Sequence, residues 1–382
     1  MLYITLLDQF HPGIYKSQVI DVCKYLSSKS GSDLKLLPFL SIREIQRSDN
    51  HKQIKELYGR SQVLPAFPGL GNYRLTAWFL ALHNLLSGER AVIARNAFAA
   101  TVSLRLRNIG LVKRLVIDVR SSLTAEIHEY DSFPNPQLRK EIKKTEEEAI
   151  LGADFRIAVS EAMVQHWRDE YGYSDNKHVV IPCTLNRSVF KKHELKEHAI
   201  AERRIELGYA EDDIILIFSG SSAPWQGKVL KEQVLDHYLQ KEKHHLIFLS
   251  KPNELIDRLS QAHPGRVKRF WLSHEEVPDF LQIGDYGMLL REQSVTNKVA
   301  SPAKFAEYLA AGLKVLISHN LGDFSNLVKA ENLGFLVKEN EELPSLSSVT
   351  FEEKKRLNTL ALNQFSKEYH DKEYNAILEA LK

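Results

Sequence analysis

Only two cysteines, Cys23 and Cys183, occur in 382 residues, and neither belongs to a CxxC pair. That excludes a disulfide framework and a thiolate zinc cluster as the basis of the fold. Long hydrophobic runs are missing too. LTAWFLALHNLL at 75–86 is interrupted by His83 and Asn84 and falls short of the ~20 residues that a transmembrane helix needs. The first residues, MLYITLLDQF, carry no positive charge ahead of their apolar stretch, so they read as a buried strand rather than a secretory signal. A cytoplasmic location is expected, with the inner membrane face as a docking place. There is no GxxxxGK[ST] loop, no GxSxG elbow and no HExxH helix, which removes P-loop NTPases, α/β-hydrolases and zincin proteases.

What is present describes a globular chain. Apolar residues make up 43% and charged residues 26%, and the length suits two domains rather than one core. Net charge is only +2, but it is unevenly spread. Between Leu57 and Ile117 the basic residues Arg60, Arg74, Arg90, Arg95, Arg105, Arg107, Lys113 and Arg114 face a single acid, Glu89, so the window carries +7 and the rest of the chain −5. A basic stretch rich in Leu, Phe and Trp78 suits peripheral contact with anionic lipid or a lipid-diphosphate substrate, and equally fits solvated arginines on helices whose apolar faces are core. No nucleic-acid-binding motif accompanies it, and no nucleic-acid partner is expected.

Short apolar runs alternate with helical patterns almost throughout, which predicts parallel α/β architecture. Strands are expected at Leu2–Leu7, Ala91–Ala94, Leu115–Asp118, Phe155–Val159 and His178–Pro182, then at Ile214–Ser219, His245–Ser250, Tyr286–Leu290, Lys314–Ser318 and Gly334–Val337. Leu75, Trp78, Phe79, Leu82, Leu85 and Leu86 repeat at helical spacing. Ser17 is expected to cap the first helix, and a charged helix over Leu138–Leu151 is expected to carry Glu146, Glu147 and Glu148 on its surface. A polar, lysine-rich stretch near Asn186–His198 separates two apolar series. Two Rossmann-like halves with a cleft between them is the simplest assembly.

Open α/β sheets bind ligands beyond the carboxyl ends of their strands, and four loops there carry chemistry. HPGIY at 11–15 offers Gly13 for close backbone approach. GSSAPWQG at 220–227 offers Gly220 and Ser221 for the same purpose, with Gln226 and the adjoining Lys228 as donors to a diphosphate. REQSVTN at 291–297 supplies Arg291, Glu292 and Asn297. DVRS at 118–121 places Asp118 and Arg120 on one side of a strand end, as a surface ion pair or as cleft groups. Behind the third loop comes SPAKFAEYLAAG at 301–312. There Ser301 is expected as N-cap and Pro302 as the first helical residue, with the backbone at Ala303 and the Lys304 ammonium facing an anion. Glu307, one turn further in, is placed to accept hydrogen bonds from sugar hydroxyls. Phosphate and hydroxyls together suggest a nucleotide sugar. Asp-x-Asp, the usual metal-bridged diphosphate motif, is absent, so no metal and no cofactor beyond the donor substrate is expected.

These residues resemble the retaining GT-B glycosyltransferases, family 4-like, of bacterial surface polysaccharide synthesis. The resemblance is strongest in DYGMLLREQSVTNKVASPAKFAEYLAAGLKVLISHNLGD at 285–323 and continues in ADFRIAVSEAMVQHWRDEYGYSDNKHVVIPCTLNRSVF at 153–190, SGSSAPWQG, ARNAFAA and VIDVRS. It implies an acceptor domain over 1–190, a nucleotide-sugar donor domain over 191–365, and a helix at 366–382 returning to the first. Glu307 matches the second glutamate of the family's E-x7-E motif, which binds ribose, whereas Val299 stands where the first belongs. Asp118 stands roughly where the family has a histidine. The implied activity is transfer of a hexosyl or N-acetylhexosaminyl group from a UDP-sugar to a glycan or lipid-linked acceptor in polysaccharide or lipopolysaccharide synthesis, with Asp118, Arg120, Arg291 and Lys304 as catalytic candidates. A GT-B-like nucleotide-sugar epimerase and a non-catalytic nucleotide-sugar-binding subunit are the alternatives.

Overall fold

The computed structural model describes residues 1–6, 12–31, 33–67, 73–130, 136–220, 227–273 and 275–382. The chain forms two compact units: Met1–Pro182 together with His370–Lys382, and Cys183–Tyr369.

The first unit is built on a seven-stranded sheet. Its strands are β1 (Leu2–Leu6), β2 (Lys35–Ser41), β3 (Leu64–Ala66), β4 (Ala91–Arg95), β5 (Arg114–Asp118), β6 (Phe155–Ala158) and β7 (His178–Val180), in the order β3-β2-β1-β4-β5-β6-β7. Every pairing is parallel. The order reverses between β1 and β4, which makes that the switch point where ligands gather in such sheets. All five residues of β1 are buried, as expected of a strand covered on both faces by helices. Helix Asp371–Ala380 packs here: Tyr25 donates to Asp371 Oδ1 at 2.5 Å, and the Tyr25 and Tyr374 rings meet edge to face at 4.9 Å.

The second unit repeats the plan with β8 (Ile214–Ser219), β9 (His244–Leu249), β10 (Val267–Phe270), β11 (Tyr286–Leu289), β12 (Lys314–Ser318) and β13 (Gly334–Val337), ordered β10-β9-β8-β11-β12-β13 and again all parallel. Its switch point lies between β8 and β11. One carboxylate organises the opposite end of the sheet: Asp285, fully buried, accepts the N–H groups of Ile215 and Val349, each at 2.9 Å.

Three local expectations are corrected. Ser17 caps nothing; Pro12–Tyr15, a π-helical turn at Lys16–Ile20 and Asp21–Ser30 follow one another directly, and Ser17 Oγ donates to Gly13 O at 3.0 Å inside that run. Glu146 is buried rather than on the surface. Its carboxylate accepts the N–H groups of Leu123 and Thr124 at 3.0 and 2.9 Å, and the Tyr171 hydroxyl at 2.9 Å. It thereby adds to the cap of helix Leu123–Tyr130 that Ser122 begins, whose Oγ accepts the Ala125 N–H at 3.3 Å. Strands β2, β3 and β10 are additions to the expected set.

Candidate functional site

In the second unit the carboxyl ends of β8, β11 and β12 bring most of the expected donor residues together. Gly220 follows β8 directly, with its N–H bonded to Leu249 O at 3.3 Å. Ser221 and Gln226 lie outside the described residues. Lys228 opens helix Lys228–Leu239, and Gly227 caps it. Sequence reasoning passed over Gly227, yet it makes a close backbone contact. A Cβ there would sit 2.8 Å from Glu292 N and 2.9 Å from Arg291 C, so only glycine lets the chain at 227 lie against the peptide between Arg291 and Glu292.

The second loop is held from behind. Arg291 N–H donates to Ser318 Oγ at 2.6 Å, and Asn297 Nδ2 donates to Glu292 O at 3.1 Å. Asn297 is buried and sits in the short helix Val295–Lys298, which Ser294 caps. Its role is to fix the peptide that carries Arg291 and Glu292. Val299, where the resembled family has its first motif glutamate, is only 1% exposed. A carboxylate at a site so enclosed would need a partner to offset its desolvation.

Helix Ala303–Ala310 then begins one residue later than expected. Pro302 is the N-cap, in extended conformation and with no side-chain cap bond. Ser301, the expected cap, is instead turned to the linker, where its Oγ accepts the Cys183 N–H at 2.9 Å. Pro302 keeps the φ of −66° its ring requires but takes a ψ of 124°, outside the helical range, so the helix starts at Ala303 and Ser301 is left beyond its cap. The first turn thus has no side-chain acceptor of its own and carries the positive end of the helix dipole. Lys304 Nζ lies 2.6 Å from Glu307 Oε2, both side chains under one-third exposed.

Beneath this surface Tyr308 locks the two strand ends. Its hydroxyl accepts the Ser219 N–H at 2.9 Å and lies 3.4 Å from Met288 O, at the end of β8 and within β11. Burial pushes the phenol well above its usual pKa; the Ser219 backbone bond and Arg291 act the other way. Gly287 makes room for the ring, because a Cβ there would come within 2.3 Å of it. Neither Tyr308 nor Gly287 was signalled by the sequence except through adjacency to Glu307 and a glycine inside an apolar strand.

The first unit holds a different cluster at its own switch point. Asp118, at the end of β5, has no exposed surface. Arg120 grips it from two sides, Nε at 2.7 Å from Oδ1 and Nη2 at 3.1 Å from Oδ2, and Arg95 Nη1 stands 3.6 Å from Oδ2. The Tyr3 hydroxyl donates to the same carboxylate. Burial first, then the Asp118 charge, drives the Tyr3 phenol well above its ordinary range. Buried Asp118 and partly buried Arg120 therefore pair within a network of one anion and two cations. Gly13 lies within helix Pro12–Tyr15 and its carbonyl is taken by Ser17. Among the described residues no group of three His, Cys, Asp or Glu could hold a metal ion, and no helix is long and apolar enough to cross a membrane.

The sequence matches no protein-family model and is similar to no curated protein. Its fold, by contrast, is common among solved structures. HepE of Anabaena in complex with UDP superposes with a TM-score of 0.65 at 15% identity, over 100% of this chain and 93% of that one. WaaG, a glycosyltransferase involved in lipopolysaccharide biosynthesis, gives 0.58 at 13% over 100% and 94%. A putative UDP-N-acetylglucosamine 2-epimerase from Listeria monocytogenes gives 0.52 at 14% over 98% and 90%. The architecture is thus the GT-B fold, two parallel-sheet Rossmann-like domains.

Proposed function

We propose that this chain is a glycosyltransferase that takes a sugar from a nucleoside diphosphate donor, preferentially a UDP-sugar, and delivers it to a glycan or lipid-linked acceptor in surface polysaccharide synthesis. One observation carries the proposal: the uncapped start of helix Ala303–Ala310, with Lys304 and Glu307 in its first turns, stands in one unit with the Arg291 loop against which Gly227 is packed. Fold neighbours that hold UDP and UDP-glucose support the choice of donor.

In this mechanism the diphosphate lies at the helix start, and Glu307 accepts hydrogen bonds from the ribose hydroxyls. As the bond from the sugar's anomeric carbon to the β-phosphate oxygen breaks, charge grows on that oxygen. Lys304, Arg291 and the first-turn amides around Ala303 stabilise it, so the charge is met by protein groups rather than a metal. The acceptor hydroxyl attacks from the leaving-group face, its oxygen bonds the anomeric carbon, and its proton passes to the departing phosphate. Configuration is retained. Asp118 and Arg120 hold the end of β5 rigid for the acceptor rather than touching the reacting atoms.

A second possibility has one specific support, the fold likeness to the putative 2-epimerase. Incubation with a panel of nucleotide sugars, with and without membrane lipid extract and oligosaccharides, separates the two. Donor consumption that requires acceptor, with transfer of the labelled sugar, is expected. Conversion of the donor without acceptor would assign the epimerase instead, and binding without turnover would leave a non-catalytic subunit.

A further inference from the structure

Helix Tyr73–Ser87 is built inside out. At 100° per residue, Thr76, Leu80 and Asn84 share one side, and Leu75, Trp78, Leu82, Leu85 and Leu86 fall within an arc of about 100° on another. The first three are buried at 1%, 0% and 3%, whereas the other five are exposed at 46%, 75%, 52%, 66% and 81%. Two of the three inward residues are polar. Thr76 Oγ1 and Asn84 Oδ1 have no hydrogen-bond partner, and only Asn84 Nδ2 is used, donating to Leu111 O at 3.2 Å. A soluble surface normally shows the reverse arrangement, and a contiguous apolar stripe of this kind marks an interaction face.

The surroundings of the stripe say what covers it. Leu111 belongs to the turn after helix Asn96–Arg107, where Ile109 is 66% exposed. The N–H groups of Lys113 and Arg114 both bond Arg90 O, at 2.8 and 3.3 Å, so three exposed basic residues gather beside that turn. Arg74 is exposed in the first turn of the helix. The one acid of the region, Glu89, is paired with the N-terminal ammonium of Met1. An apolar stripe with a Trp at its centre and a cationic rim matches the boundary between acyl chains and anionic headgroups. A second copy is a poor match, because a self-complementary contact would press two regions of like charge together.

We infer that helix Tyr73–Ser87 is a lipid-docking element that lies in the plane of an anionic bilayer, with Leu75, Trp78, Leu82, Leu85 and Leu86 in the headgroup boundary and Arg74, Arg90, Lys113 and Arg114 on lipid phosphates. The inference is independent of the proposed sugar transfer, and UDP affinity measured on the same proteins keeps the two apart.

Flotation with vesicles of phosphatidylcholine alone and of phosphatidylcholine with about one-third phosphatidylglycerol tests it. The full chain is expected to bind the anionic vesicles at least about tenfold more tightly than the neutral ones, with loss at high salt. Binding is accompanied by a blue shift in tryptophan emission that Trp78→Phe removes. Leu82→Glu with Leu86→Glu, at positions already exposed, should lower vesicle binding about tenfold or more with unchanged circular dichroism; Arg90→Glu with Lys113→Glu should erase the anionic preference. Vesicle binding that survives Leu82→Glu/Leu86→Glu overturns the inference. So does a wild-type chain that ignores vesicles, whether it stays monomeric or forms a dimer in sedimentation velocity that the same double variant dissociates.

Discussion

Lys304 Nζ is held 2.6 Å from Glu307 Oε2 across one turn of helix Ala303–Ala310. The ammonium and the carboxylate thus hold each other in place, which on the proposed reading limits the rotamers each must give up to a nucleotide. Glu307→Ala is expected to lower UDP affinity by about tenfold or more in calorimetry, since both a ribose acceptor and a positioning partner are lost. Lys304→Met should weaken UDP more than uridine. Unchanged UDP affinity in Glu307→Ala would remove the ribose role.

Tyr308 and Gly287 act as a lock and its keyway. Tyr308→Phe leaves the ring in place and strips the buried Ser219 N–H of its acceptor, so unfolding in urea should show a loss of about 1–3 kcal/mol with the slope unchanged. Gly287→Ala must displace the ring, and should cost a similar ~1–3 kcal/mol by overpacking. A neutral Tyr308→Phe would mean that the Ser219 amide finds another partner.

Asp118 offers a sharp choice. If it serves chiefly to neutralise Arg95 and Arg120, Asp118→Asn leaves two cations facing an amide in a buried site and should destabilise the chain by roughly 3–5 kcal/mol. Thermal melting reads this directly. A variant that melts with the wild type yet loses all transfer would show that the carboxylate works on the substrate.

Lys354 gives a pH signature. Fully buried in helix Phe351–Gln364, it donates to Gln282 O at 3.2 Å and to Gly284 O, and burial lowers its pKa from 10.5 to about 8. Between those values the unfolded chain binds more protons than the folded one, so stability contributed at this site rises with pH from about 8 to 10.5 and is lost on the way down. Relative to Lys354→Met, wild-type stability should climb across that window by up to about 3 kcal/mol. A constant difference between the two proteins would show that the lysine does not titrate there.

The central strands were legible because a parallel strand covered on both faces must be apolar throughout, as Ile214–Ser219 is. Strand β2 hid behind Pro38 in its middle, β3 behind its three residues, and β10 behind the alternating exposure of an outer strand. In the site, the charges of Lys304, Glu307 and Arg291 were readable from their spacing. What spacing could not reveal was accessibility: Asp118 looked like half of a strand-end pair and proved to be fully enclosed, and Ser301 looked like a cap and was claimed by Cys183. Helix Tyr73–Ser87 shows the same limit most plainly. Period tells which residues share a face but not which face turns inward.

The return of helix Asp371–Ala380 to the first unit sets the timetable on which the chain can mature. Tyr374, Ile377 and Leu381 belong to the same apolar cluster as Tyr3, Cys23 and Leu26, yet the ribosome makes them only after all of Cys183–Tyr369. At typical synthesis rates that interval is roughly ten to forty seconds. Throughout that interval the first unit lacks the last members of its apolar cluster, so its completion is tied to synthesis of the whole second unit.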